Sequence, residues 1–205
     1  MDNTRSRYLS KDEEKRLLAA LEGEEWLRAV VIMAIHTGMR RGEIFKLKWF
    51  DVDFARGVVH VRNTKMGKDR VVPMSAPVRE MLERQPKTSG YVFPSPKTGG
   101  QLIDIKRRFD LTRTAAGISD FRFHDLRHTA ATRLAAAGVN VVVIAEILGH
   151  SDIRTTKRYS HAMDEAMRDA VEKLAGTGAA RQKRVKNAGK QKRQAGGPTV
   201  KRGIS

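Results

Sequence analysis

Residues 121–159 constrain this chain more than any other stretch. Two glycines cut it into three short helical patterns, and polar groups of one chemical kind gather at the cuts. His124, Arg127 and His128 stand at i, i+3 and i+4, so one helix face presents all three. Gly138 stops that helix, and Gly149 stops the next, VNVVVIAEIL. Ser151 is placed to cap a third, which ends near Tyr159. Packing of the three predicts a cluster of imidazole, guanidinium and phenol drawn from His124, Arg127, His128, His150 and Tyr159.

A phenol is a poor nucleophile at neutral pH unless neighbours assist it. Arginines stabilise charge that grows on phosphoryl oxygens. Histidines accept or donate the travelling proton, since their reference pKa is about 6.5. No second carboxylate and no cysteine accompanies the cluster, so glycosidase and thiol chemistry fit poorly. No His, Asp or Glu spacing suits a metal, and no cofactor motif is present, so neither a metal nor a cofactor is expected.

Charge names the class of partner. Forty basic residues against 23 acidic ones give a net +17 over 205 residues, which argues for a polyanion. Aromatic residues are few, so platforms for stacking single strands are not expected. No apolar run is long enough to span a bilayer and no signal peptide is visible, so a membrane is not expected and the cytoplasm is. Residues 176–205 hold nine basic residues and no acidic one, in a background of Gly, Ala and Gln. That composition predicts a disordered tail that touches nucleic acid without sequence preference.

Upstream, residues 1–9 read as a flexible N-terminus. Ser10 and Glu13 form a capping box for a helix with Leu17, Leu18 and Leu21 on its apolar face. Residues 24–37 are apolar nearly all round and predict a core helix that Gly38 ends. Arg40 follows at the start of another helix. Residues 57–62 and 70–73 read as strands joined by a tight loop, with a third strand near residues 52–54. A short helix is expected within residues 73–84. Residues 85–100 read as loop anchored by residues 91–93. Residues 101–116 read as a helix whose Lys106, Arg107, Arg108 and Arg113 face either a duplex or solvent.

HDLRHTAAT followed by LGHSDIRTTKRYSH closely resembles the signature of the tyrosine recombinase (phage integrase) family. The other half of that signature lies in IHTGMRRGEIFKLKWFDVD, and the hairpin-like NTKMGKDRVVPM stands between them. The resemblance implies a mixed α+β, mostly helical catalytic domain with a small antiparallel sheet, spanning residues 10–175. It implies catalytic roles for Arg40, Lys65, His124, Arg127, His150 and Tyr159. Lys65 takes the first position of the family-like K-x-G-K pattern, with Lys68 as its competitor. Glu43 matches a structural acid that orients a neighbouring helix or arginine, and Arg41 points elsewhere.

The activity implied is site-specific DNA recombination or integration through a covalent 3′-phosphotyrosyl intermediate, as in a phage or other mobile genetic element. Double-stranded DNA is the implied partner, with self-association on DNA and a tetramer in the full complex. The setting would be bacterial cytoplasm or nucleoid. The alternative is a catalytically silent DNA-binding regulator or a truncated remnant. Family members carry a separate helical DNA-binding domain ahead of the catalytic one, whereas this chain starts almost at the catalytic domain. A fragment, a truncated gene and a minimal recombinase all stay open.

Overall fold

The computed structural model describes residues 7–62, 69–150, 155–156, 159, 162–164, 166–167 and 171. The chain divides after Met163, and the fold below is that of the first unit. In the second, Asp164, Ala166, Met167 and Val171 are helical, and the side chains of Met167 and Val171 are exposed.

Residues 7–9, part of the loose start expected for residues 1–9, are held against the fold. Leu9 is buried, and its N–H donates to Thr129 Oγ1 at 3.0 Å. Arg7 pairs with Glu13 and lies 5.5 Å over the Phe121 ring. Burial of one leucine and one cation on a ring outweighs the polar composition around them. Helix α1 (Lys11–Ala19) then starts on the expected capping box: the Glu13 N–H donates to Ser10 Oγ, and the Ser10 N–H to the Glu13 carboxylate.

Helix α2 (Glu25–Thr37) buries Leu27, Ala29, Val30, Val31, Met33, Ala34, Ile35 and Thr37. Each large apolar side chain among them contributes about 1.5–3 kcal/mol on burial, which explains why this helix lies in the middle of the core. Gly38 ends it in the left-handed conformation, φ 63°. An alanine Cβ at Gly38 would lie 2.3 Å from Leu148 Cδ2, so close approach demands glycine as much as the turn does. Helix α3 (Arg41–Lys46) follows, then a 3-10 turn at Trp49–Asp51.

Strands β1 (Val52–Asp53), β2 (Val58–Val61) and β3 (Arg70–Pro73) form the expected antiparallel sheet in that order. Val59 opposes Val72, and Val61 opposes Arg70. Val59, Val61 and Val72 face the core while Val71 faces solvent, the alternation of a half-covered sheet. Lys65 and Lys68, on the loop between β2 and β3, lie outside the described residues.

Helix α4 (Ala76–Arg84) packs on α2. Val92 and Phe93 anchor the following loop as expected. Helix α5 (Lys106–Ala115) is shorter than the 101–116 expected. Gln101 pairs with Pro94 as an isolated bridge, and the Lys106 N–H donates to Asp104 Oδ1 at 3.0 Å. Leu102 and Ile105 are therefore core anchors of an extended segment, not a helical stripe. Arg108 pairs with Glu24 and Arg113 donates to the Ile118 carbonyl, so two of the four basic residues there have partners within the fold.

Helix α6 (Asp125–Ala136) crosses α2, and α7 (Val141–Leu148), capped by Asn140, packs on α6. Beyond α7, Thr155 and Tyr159 are in 3-10 helical conformation, and Ser151, the expected cap of the third helix, lies outside the described residues. Tyr159 joins Ala131, Ala135, Ile144 and Leu148 in a small apolar cluster, with Met163 packed against it. Among the described residues no helix is long and apolar enough to cross a membrane.

Candidate active site

Two left-handed glycines build the site's frame. Gly38 turns the chain at the end of α2, and its carbonyl accepts from Arg127 Nη1 at 2.6 Å. Gly149, φ 68°, turns the chain at the end of α7, and its carbonyl accepts from Arg40 Nη2 at 2.9 Å. A helix C-terminus leaves carbonyls that its own ladder does not use, and here they hold two guanidinium groups. The two arginines thus come from the start of α3 and the first turn of α6, and helix ends fix both.

Arg127 is buried at 5% exposure. Burial and the nearby charge of Arg40 destabilise its cation and pull its pKa down to about 9, with Glu43 and Tyr159 acting in the opposite sense. Its Nη2 is buried without a hydrogen-bond partner among the described residues. Arg40 is less enclosed, with 31% of its side chain exposed. The site therefore holds concentrated positive charge with incomplete internal neutralisation, the arrangement that suits an anion. Arg41, as expected, points away: it is exposed and lies 3.9 Å from Asp104.

Glu43 ties the frame together. Its carboxylate accepts the Arg40 N–H at 2.8 Å and Arg40 Nη1 at 3.1 Å. It also accepts both Nη groups of Arg70, at 2.9 and 2.8 Å. Burial alone would raise the Glu43 pKa; the hydrogen bonds and charge of Arg70, with those of Arg40, outweigh it and hold the carboxyl below the ordinary range. Arg70 Nε donates to the Ile147 carbonyl at 2.9 Å. Arg70 was not among the residues singled out from sequence. It opens a strand, where an arginine reads as solvated, and its acid lies 27 positions away. The expectation that Glu43 orients an arginine was the one available signal.

His124 takes the N-cap position of α6, and His128 lies one turn on. Their rings meet edge to face with centroids 5.4 Å apart. The Tyr159 phenol oxygen lies 2.8 Å from His128 Nδ1, inside hydrogen-bond range, and Tyr159 is 7% exposed. His150 Nδ1 lies 2.7 Å from Oγ1 of the buried Thr156. Thr156 also accepts the Tyr159 N–H through its carbonyl at 3.1 Å, so His150 and Tyr159 share a support. The fold thus brings Arg40, Arg127, His124, His128, His150 and Tyr159 into one region and adds Thr156, while Lys65 lies outside the described residues. Among the described residues no group of His, Asp and Glu could hold a metal ion.

The sequence matches the phage integrase family over residues 7–166. It is similar to the shufflon-specific DNA recombinase of Escherichia coli, with 36% identity over 160 residues, covering 77% of this chain and 40% of that protein. The structure resembles the crystal structure of XerA recombinase, with a TM-score of 0.70 and 32% identity, over 82% of this chain and 65% of that one. It also resembles the Tn1549 transposon integrase solved in complex with circular intermediate DNA, with a TM-score of 0.67 and 25% identity, over 77% of this chain and 62% of that one. The chain spans less than two thirds of the length of these relatives.

Proposed function

This chain belongs to the phage integrase family, and on that premise we propose that it is the catalytic part of a site-specific DNA recombinase or integrase. Tyr159 attacks a backbone phosphorus of double-stranded DNA, forming a 3′-phosphotyrosyl link and releasing a 5′-hydroxyl. A second DNA end then attacks that link, so the energy of the broken bond is kept in the covalent intermediate and no ATP is needed.

The observation that carries this reading is the pair of guanidinium groups held by glycine carbonyls beside a buried tyrosine. Arg40 and Arg127 clamp the nonbridging oxygens as charge spreads over them in the transition state. Preorganisation matters because neither arginine has to be recruited from solvent when the charge develops. Lys65 protonates the leaving 5′-oxygen, His124 assists proton movement and holds the phosphate, and His150 positions the scissile phosphate or the nucleophile. Copies of the chain associate on DNA, four in the complete recombination complex. The tail, residues 176–205, adds contacts that do not depend on sequence, and the protein acts in the cytoplasm or nucleoid.

The test is a nicked suicide duplex carrying sequence from the ends of the native element, incubated without divalent metal and resolved on a denaturing gel. The nick lets a short product leave and traps the adduct. Wild type is expected to form it, and Tyr159→Phe to bind DNA but form none. An adduct that persists in Tyr159→Phe would reject the nucleophile. No adduct from wild type, even when joined to a related DNA-binding domain, would favour a silent DNA-binding regulator.

A further inference from the structure

Resting on the reading of Tyr159 as nucleophile, we propose that His128 is the immediate acceptor of the tyrosine proton, with His124 behind it. The contact is direct: His128 Nδ1 and the Tyr159 oxygen are 2.8 Å apart in a buried position. His128 faces Tyr159 because it sits one helical turn beyond His124 on α6, while Tyr159 is seated against Ala131, Ala135, Ile144 and Leu148. Those apolar walls make a bare phenolate costly before attack, so the proton must leave as the bond to phosphorus forms. A neutral imidazole within hydrogen-bond reach of the attacking oxygen serves that purpose.

Ionisable groups of several elements lie around the His128–Tyr159 pair, and on α6 itself the buried Asp125, one turn before His128, accepts the Arg122 N–H at 2.7 Å. Tyr159 lies across the hydrogen bond and His124 lies edge-on along the same helix. Arg127 is adjacent in sequence and acts electrostatically on Tyr159, and the charges of Arg40, Glu43 and Arg70, from α3 and β3, surround Arg127 in turn. His150, beyond α7, is engaged with Thr156. From α2, His36 has Glu14 and Arg133 as its charged neighbours.

The step balances. In the Nε2-protonated tautomer the phenol O–H donates to Nδ1. As the tyrosine oxygen bonds to phosphorus, its proton passes to His128, the P–O5′ bond breaks, and the leaving oxygen takes a proton from Lys65. His128 ends as a cation and Lys65 neutral, so total charge is unchanged. When a 5′-hydroxyl attacks the phosphotyrosyl link, both protons return.

Cleavage of the suicide duplex is measured against pH for wild type, His128→Asn and His124→Gln. A second duplex carries sulfur in place of the leaving 5′-oxygen, which removes the Lys65 requirement. Wild type is expected to lose rate on the acid side of neutrality, as the acceptor becomes protonated. His128→Asn is expected to fall about a hundredfold or more near pH 7, then climb about tenfold per pH unit toward the ordinary phenol pKa of about 10. It should keep wild-type DNA affinity and thermal stability, and His124→Gln should keep the acidic limb. In parallel, 15N imidazole shifts of wild type are expected to show Nδ1 unprotonated and responsive to Tyr159→Phe. A His128→Asn profile that superimposes on wild type, an acidic limb lost in His124→Gln instead, or a protonated Nδ1 at neutral pH would overturn the assignment. A wild type without any adduct would strike the recombinase reading itself, so the two failures are distinct.

Discussion

Glu43→Ala should damage this fold more than Arg70→Met, although the two residues form one ion pair. Both side chains are nearly buried, at 7% and 8% exposure. Among the described contacts, truncating Glu43 removes the carboxylate that pairs with the Arg70 guanidinium and leaves it the hydrogen bond to the Ile147 carbonyl. It also removes the carboxylate that accepts the Arg40 N–H at the start of α3. Orphaning one member of a buried pair costs about 3–5 kcal/mol. At about 2–4 °C per kcal/mol for a chain of this size, Tm should fall on the order of 10 °C. Arg70→Met leaves Glu43 with both Arg40 contacts, at 2.8 and 3.1 Å, so the loss should be nearer 1–3 kcal/mol, about what a charged hydrogen bond contributes. The double variant has no orphaned cation and should be more stable than Glu43→Ala alone. Acid adds a sign. The Glu43 pKa is depressed by folding, so its contribution is complete above the ordinary carboxylate pKa of about 4.3 and is lost as pH falls below that through the folded value. Glu43→Gln should therefore flatten the acid side of the stability profile. Thermal and urea unfolding of the four variants decide the matter. Strictly additive losses, or a greater loss in Arg70→Met, would refute the reasoning.

Gly149→Ala should both destabilise the protein and cripple cleavage. A left-handed alanine costs about 1–2 kcal/mol, and the new Cβ would lie 2.9 Å from Arg70 Nη1 and 3.0 Å from its Cζ, pushing the cation off Glu43. Unfolding midpoints and adduct yield measured together check this, and wild-type values for both would contradict it. Arg127→Met should abolish the adduct without lowering stability. Folding depresses the Arg127 pKa to about 9, so protonation at neutral pH works against the folded state, and that penalty fades only as pH rises through 9. Methionine removes the penalty at the loss of one hydrogen bond to Gly38, typically about 1 kcal/mol. A Tm drop beyond about 4 °C, more than that one bond explains, would show the cation to be structurally required.

What could be read from the sequence follows the range of the forces involved. The ends of α2 and α7 were legible because a glycine after an apolar helix says locally that the chain must turn left-handed. The capping box of α1 is likewise complete within four residues. Residues 101–105 misled because Leu102 and Ile105 share helical spacing with Phe109, while the bridge of Gln101 to Pro94 that keeps them extended is not periodic. Helical spacing and the two glycine breaks drew His124, Arg127, His128, His150 and Tyr159 into one cluster, whereas the place of Arg40 beside them came from family resemblance. The bond between His128 and Tyr159 spans 31 positions, and nothing local marks which of two histidines on one face will make it. Gly149 shows the limit most clearly. Its missing side chain is legible as a helix stop, but the same absence also makes room for the Arg70 guanidinium that Glu43 and the Ile147 carbonyl hold there. One residue thus satisfies a backbone angle and a long-range packing demand together. The first is written in its neighbours, whereas the second exists only once β3 has reached α3 and α7.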